Sequence, residues 1–244
     1  MAKNTPYFTP ATLRFLKQLA AHNNKDWFNA HRDDYEAAVR EPCLRFITDL
    51  AAPLATLSPE MVASPKKVGG SLFRIHRDTR FSSDKTPYKT HAGMSFFHAA
   101  TKATARADAG GNAAPGRLDA PVFYFHLTPG DSFLGGGIWH PQSETLRRIR
   151  AYLVNNPASW QQATRSTGFR RHFTLGGDSL VRPPQGFDPE HPLIEDLKRK
   201  DFVASAAVSD DDLLRPDLPR WVITRYREVS PMLDWLCGAL DLPY

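Results

Sequence analysis

A cluster of basic residues between positions 66 and 91 is the part of this sequence best suited to chemistry. The cluster has seven cations and two acids: Lys66, Lys67, Arg74, Arg77, Arg80, Lys85 and Lys89, with Asp78 and Asp84. Seven against two leaves an excess of five, which equals the formal net charge of the whole 244-residue chain, +5. The basicity is therefore concentrated in one place. The turn-forming residues 82–87 predict that these cations lie on a loop held by a sheet.

Residues 74–91, here called the basic segment, combine the donors that an anion site needs. Arg guanidinium groups match phosphate oxygens as planar forks, Lys adds point charge, and hydroxyl groups add further donors. The segment therefore predicts a phosphate-binding loop. The predicted ligand contacts are Arg74, Arg77, Arg80, Ser82, Asp84, Lys85, Tyr88 and Lys89, in which Asp84, together with Asp78, orients the cations.

Other interpretations fit the same residues. Arg77–Asp78 and Asp84–Lys85 are also the links expected of an ion-pair network that pins a long loop, in an interaction or scaffold protein. The cations would equally suit the backbone phosphates of a nucleic acid. We favour a small phosphorylated ligand, because the cations are accompanied by turn residues and two acids instead of forming a continuous basic helix or sheet face.

His76 and Asp78 are the local candidates for acid–base catalysis. Two residues apart on an extended chain, they would share a face, although such a pair is more often structural than catalytic. Whether the protein is an enzyme therefore stays open at this point. The nine His residues form no H-E-x-x-H motif and no Cys/His cluster, and the sequence has no nucleotide-binding glycine motif, so we predict neither a metal nor a cofactor.

The glycine-rich run that ends in Ile138 and Trp139 gives a secondary pocket candidate, formed by Gly136, Gly137 and Trp139. Glycine lets the backbone approach a phosphate closely. The alternative is a glycine bulge where a strand ends, with Trp139 in the core.

The elements that must position these residues follow from apolar spacing. Helical periodicity covers the first 57 residues and returns from Leu146 onward, ending in a long helix from Leu218 to Leu240 with a break at Ser230-Pro231. The predicted strands are residues 71–76, 93–98, 122–127 and 132–136, with short candidates at 169–174 and 202–208. This order predicts an α+β fold in a single domain over residues 1–244, with a mostly antiparallel sheet between N- and C-terminal helices. Residues 99–119 are predicted to form a mobile hairpin insertion.

The composition predicts a cytoplasmic protein. Hydrophobic residues are 41% and charged residues 23% of the chain, as in ordinary globular proteins. The two Cys residues lie far apart, which favours reduced and buried thiols. No apolar run approaches about 18 residues, and the first residues lack a signal core, so we expect neither secretion nor a membrane partner.

Four blocks of sequence carry a resemblance to a known family. They are Asn23-Asn24-Lys25-Asp26-Trp27-Phe28, then Arg74-x-x-Arg77-Asp78-x-Arg80-Phe81-Ser82-x-Asp84-Lys85-x-Pro87-Tyr88-Lys89, then Gly135-Gly136-Gly137-Ile138-Trp139-x-Pro141, and Pro184-x-Gly186-Phe187-Asp188-x-x-His191-Pro192. Together they resemble the uncharacterised domain-of-unknown-function 2461 family, in the family's order and over roughly residues 6 to 240. The long basic block is the specific one. The resemblance implies a single domain and no particular reaction.

Overall fold

The N-terminal helices begin where the sequence provides caps. A computed structural model of the chain describes residues 5–80, 82–103 and 119–244. Thr9 caps α1 (Pro10–Ala21) through a capping box with Thr12, and the Asn24 side chain accepts a hydrogen bond from the Trp27 amide at the start of α2 (Lys25–Ala30). The helical chain continues through α3 (Arg32–Tyr35), a π-helical turn (Glu36–Arg40) and α4 (Glu41–Ala55).

One antiparallel sheet forms the centre of the described structure. Its strands are β1 (Met61–Val62), β2 (Ala92–His98), β3 (Val122–Leu127), β4 (Ser132–Ile138), β5 (Thr174–Gly176) and β6 (Phe202–Val208). The spatial order is β1-β2-β3-β4-β6-β5, and every neighbouring pair is antiparallel. A tight turn joins β3 to β4, as the Thr-Pro-Gly-Asp sequence predicts.

Helices from both ends of the chain cover the same face of this sheet. The remaining helical elements are a 3-10 turn (Ala99–Ala103), α5 (Ser143–Asn155), α6 (Pro157–Arg165), α7 (Thr167–His172), α8 (Ile194–Leu197), α9 (Asp210–Leu213) and α10 (Leu218–Ala239). The Tyr226 hydroxyl of α10 donates to the Tyr124 carbonyl at 2.9 Å, and Phe46 of α4 packs edge-on against Phe125 of β3 at 5.4 Å. The α+β fold with flanking terminal helices is thereby confirmed.

Three element predictions were wrong in detail. Residues 71–76 form isolated bridges and no continuous strand. Leu72 bridges to Met94 of β2, whereas His76 bridges to Tyr88, so the two ends of this stretch pair with different segments. Residues 167–172 are helical where a strand was predicted from 169, since the Ser166 hydroxyl caps the Phe169 amide. α10 runs without interruption through Pro231.

The predicted hairpin insertion of residues 99–119 lies mostly outside the described residues, which omit 104–118. No helix in the described ranges is both long enough and apolar enough to cross a membrane.

Candidate functional site

The basic segment is a closed loop whose two arms are joined by backbone hydrogen bonds. The Arg77 amide donates to the Pro87 carbonyl at 2.9 Å, and the Lys89 amide donates to the Ile75 carbonyl at 2.8 Å. These bonds flank the bridge between His76 and Tyr88. The neighbouring Phe73 amide instead donates to Gly93 of β2 at 2.9 Å, so the loop grows directly from the edge of the sheet.

Tyr88 anchors this loop to the N-terminal helices. Its ring stacks on Phe28 of α2, with centroids 4.1 Å apart and planes 22° apart. The Asn23 side chain donates to the Tyr88 carbonyl at 2.9 Å and accepts from the Tyr88 amide at 3.1 Å. Tyr88 is only 4% exposed. These contacts give Tyr88 a structural role, and we therefore leave it out of the proposed ligand contacts.

Both acids of the basic segment are bonded to arginines, although not to the sequence neighbours that the network interpretation paired. Arg77 bonds to Asp84 and to the Thr86 hydroxyl, whereas Arg80 bonds to both carboxylate oxygens of Asp78, at 3.0 and 2.6 Å. Adjacent residues on an extended chain point to opposite sides, so Arg77 and Asp78 are not partners.

These bonds lower the pKa of both carboxyl groups. The side-chain and backbone hydrogen bonds from Arg80 lower the pKa of Asp78 to about 2. The Thr86 amide, followed by the Arg77 side chain, lowers the pKa of Asp84 to about 2. Both groups are therefore carboxylates at neutral pH, and they offset the charge of the arginines that they hold.

The two lysines of the loop bond to backbone carbonyls. Lys85 donates to the Thr79 carbonyl at 2.9 Å, and Lys89 donates to the Arg74 carbonyl at 2.8 Å. Burial, followed by the charge of Arg74, lowers the pKa of Lys89. Ser82 is half-buried, and Phe81 lies outside the described residues. The loop therefore uses many of its cations to hold its own shape.

A cleft with a volume of about 210 Å³ lies where the start of the basic segment faces the N-terminal helices. Five cations line it: Arg32, Arg40, Lys66, Lys67 and Arg74. The one carboxylate among its described lining residues is Glu36, whose Oε2 is 2.7 Å from Nη1 of Arg40. Aromatic and aliphatic side chains, Phe28, Tyr35 and Leu72 among them, complete the walls. We call this the basic cleft; it carries four more cations than carboxylates.

His76 also lines the basic cleft, with its ring centroid 5.2 Å from that of Tyr88 and 6.4 Å from that of Phe28. Burial lowers its pKa first, and the positive charges of Arg74, Arg32 and Lys89 lower it further. Asp78, its predicted acid–base partner, gives both carboxylate oxygens to Arg80. We therefore keep His76 in the proposed site without Asp78 as its partner.

A second polar cluster lies on the sheet face opposite α10. His91 and His126 have ring centroids 4.3 Å apart, and His126 contacts the Tyr124 hydroxyl at 3.2 Å and the Thr128 hydroxyl at 3.1 Å. Burial, followed by His126, Lys89 and Arg77, lowers the pKa of His91 to about 4. The His126 ring also stacks on Phe133, with centroids 4.7 Å apart, and burial lowers the pKa of His126. Burial therefore disfavours the charged form of both imidazoles.

The glycine-rich run serves helix packing. A Cβ on Gly136 would lie 2.8 Å from Leu233 and 3.4 Å from Val229, both on α10. Gly137 has a φ of +127° and lies against the backbone of Phe202. Trp139 is 61% exposed beyond the end of β4, with its ring 4.6 Å from that of His140. Because Gly136 faces α10 and Trp139 is exposed, we leave these residues out of the proposed site.

Comparison with known families identifies the chain. A family model described as a conserved hypothetical protein, DUF2461, matches residues 11–235. The chain belongs to the DUF2461 family. No curated protein and no solved structure matched it.

Two of the blocks that carried the DUF2461 resemblance meet in the fold. Asn23 and Phe28, from the first block, both contact Tyr88, from the long basic block. In the part of the chain that the structure describes, no group of three or more His, Cys, Asp or Glu side chains is arranged to hold a metal ion.

Sequence reasoning missed two of the cations in the basic cleft. Arg32 and Arg40 lie on the helices before the basic segment and flank Glu36 at intervals of four residues. Positions four apart share one helix face, so the sequence could have predicted that Arg32, Glu36 and Arg40 lie together on one side of the helical chain. What the sequence does not reveal is that the fold turns this face toward Arg74.

Proposed function

We propose that this protein binds a small phosphate-bearing ligand in the basic cleft. The observation that carries the proposal is the charge of the cleft: five Lys and Arg side chains surround one carboxylate, Glu36, which is itself bonded to Arg40. Like charges held close together repel one another, and a bound anion relieves that repulsion. Phosphate also matches the fork of donors that Arg presents.

The basic cleft supports this role better than the tip of the loop does. At the tip, Arg77 and Arg80 already bond to carboxylates, and Lys85 bonds to a backbone carbonyl. Arg74 is exposed and lies at the start of the basic segment, where the cleft opens. In the proposal, Arg77 and Arg80 hold the segment in shape, and Arg74 contacts the ligand.

Calorimetric titration with inorganic phosphate tests the proposal. We expect saturable binding to the unaltered protein, and Arg74→Gln to weaken it about 10- to 100-fold, which corresponds to a lost charge-assisted contact of about 1.5–3 kcal/mol. Arg147→Gln is the matched control, since it removes the same charge from an exposed pair with Glu144 on α5. Absence of phosphate binding, or equal weakening by both variants, would overturn the proposal.

A second candidate ligand is single-stranded nucleic acid. Phe73 is 45% exposed, and the Lys89 ammonium lies 5.7 Å from its ring centroid, a combination that suits a stacked base with its phosphate. Affinity for an oligonucleotide should then fall with salt, with a log–log slope of about −0.7 per phosphate contacted. Tight binding that Phe73→Ala weakens and free phosphate does not displace would favour this candidate over the small ligand.

A further inference from the structure

His76 is the one imidazole among the described lining residues of the basic cleft, and its backbone is fixed. The bridge to Tyr88 and the hydrogen bonds of the flanking residues Arg77 and Lys89 hold the chain on both sides. The ring lies near those of Phe28 and Tyr88. His76 is therefore presented to whatever occupies the cleft, and does not depend on a flexible loop for its position.

The charged groups around His76 are mainly positive. Arg74 and Lys89 come from its own segment, and Arg32 faces it from α3. The cleft also carries Lys66, Lys67 and the bonded pair of Arg40 and Glu36. The nearest acid in sequence, Asp78, is bonded to Arg80.

These surroundings lower the pKa of His76. Burial and neighbouring cations both disfavour imidazolium. An anion bound among the same cations would reverse this preference, because it places negative charge beside the ring. Ligand binding and proton uptake would then be linked, and each would strengthen the other by the same factor.

We propose that the basic cleft selects the terminal, dianionic phosphate of a phosphomonoester, and that His76 takes up a proton when this group binds. The inference rests on the proposed function. A monoester loses its second proton with a pKa near 6 and so carries close to two negative charges at pH 7, whereas a diester phosphate carries one. Four unmatched cations and a protonated His76 therefore discriminate between the two groups.

The size of the cleft agrees with a terminal group. Its volume of about 210 Å³ is below the ~300–1,000 Å³ typical of pockets that enclose a whole drug-sized ligand. A phosphate group is small enough for this volume, and the apolar side chains of Leu72 and Phe73, which also line the cleft, suit an ester substituent.

Calorimetry with methyl phosphate and dimethyl phosphate separates the two groups. At pH 7.5 we expect the monoester to bind at least about 10-fold more tightly than the diester. Repeating the monoester titration in buffers of different ionisation enthalpy should show net proton uptake by the unaltered protein. His76→Gln should abolish most of this uptake and retain weakened binding, because the cations remain. His140→Gln, an exposed imidazole beyond the end of β4, is the matched control.

NMR titration of the imidazole signals provides a second measurement on the unaltered protein. The pKa of His76 should rise when methyl phosphate is present. Equal affinity for the two esters would overturn this inference, and so would the absence of both proton uptake and a shift of the His76 signal. In either case, measured binding of inorganic phosphate would leave the proposed function standing. Failure of inorganic phosphate and both esters to bind would overturn the proposed function as well.

Discussion

Asn23 and Tyr88 exchange two hydrogen bonds although they are 65 positions apart in the sequence. One amide side chain thereby satisfies both backbone groups of a single residue, at the point where the basic segment returns to the sheet. Because Tyr88 also stacks on Phe28, the loop is fixed to the helices whose cations form the other wall of the basic cleft. The two walls are therefore positioned relative to each other by one short cluster of contacts.

Asn23→Ala should destabilise the protein and weaken phosphate binding together. Removing the side chain leaves a part-buried amide and carbonyl of Tyr88 without these partners, which costs about 1–3 kcal/mol. Urea unfolding and a phosphate titration measure the two effects. Asn24→Ala is the control: it removes a helix cap worth about 1 kcal/mol and should leave the affinity for phosphate unchanged. Equal loss of affinity in both variants would contradict the role given to Asn23.

Arg77→Gln should lower the melting temperature more than Arg80→Gln. Arg77 is partly buried, with 27% of its side chain exposed, and it joins Asp84 and Thr86 across the loop. Arg80 is 66% exposed and bonds to Asp78 two residues away, which is a local contact. Surface ion pairs of that kind contribute little to stability. The prediction fails if thermal melts of the two variants coincide.

The free energy of unfolding should fall as the pH drops from about 6.5 toward 4, partly through His91. Its pKa in the folded protein is about 4, below the ordinary value of 6.5, so the folded state disfavours the protonated ring. The unfolded state then binds the proton first, and stability is lost through this window on acidification. His91→Gln should flatten the dependence in urea unfolding between pH 7 and 4.5. An unchanged slope would contradict the assignment.

The carboxyl groups of Asp78 and Asp84 affect the free energy of unfolding at lower pH than His91 does. Their folded pKa values of about 2 lie below the ordinary 3.8, so their contribution is full above about pH 4 and declines as the pH falls toward 2. The loop should therefore lose its ion pairs only after His91 has become protonated. Tryptophan and tyrosine fluorescence recorded during acid titration can separate the two stages.

Gly136→Ala should destabilise the protein and leave phosphate binding intact. The added methyl group would lie 2.8 Å from Leu233, and overpacking of this kind costs about 1–3 kcal/mol. Gly176→Ala is the matched control, since a Cβ at that strand position meets nothing within 4 Å. Loss of phosphate affinity in Gly136→Ala at unchanged stability would instead favour a ligand role for the glycine run.

Local patterns in the sequence predicted the parts of the fold that local physics determines. The strands predicted at 122–127 and 202–208 follow from the residues within each segment, and both predictions were confirmed. The strand predicted at 71–76 was wrong because extended residues do not reveal which partner they have. Leu72 bridges to Met94, whereas His76 bridges to Tyr88.

The residues of the basic cleft could not all be predicted from the sequence, because contacts between distant residues bring them together. The basic segment was recognisable by composition, but the arginine partners were not, because a turn brings Arg77 to Asp84. The proposed ligand contacts shift from the tip of the loop to its base for a related reason. Arg32 and Arg40 reach the cleft only through the packing of the N-terminal helices, which the spacing of charges does not specify.

The contact between Tyr226 of α10 and the Tyr124 carbonyl joins residues 102 positions apart. The apolar face of the sheet is therefore completed by distant parts of the chain, and contacts between distant residues slow folding. While α10 remains undocked, Phe96 and Phe123, which pack on Tyr226, lack this cover. Refolding from urea should thus become less efficient as the protein concentration rises, because partly folded chains can associate through this face before α10 closes it.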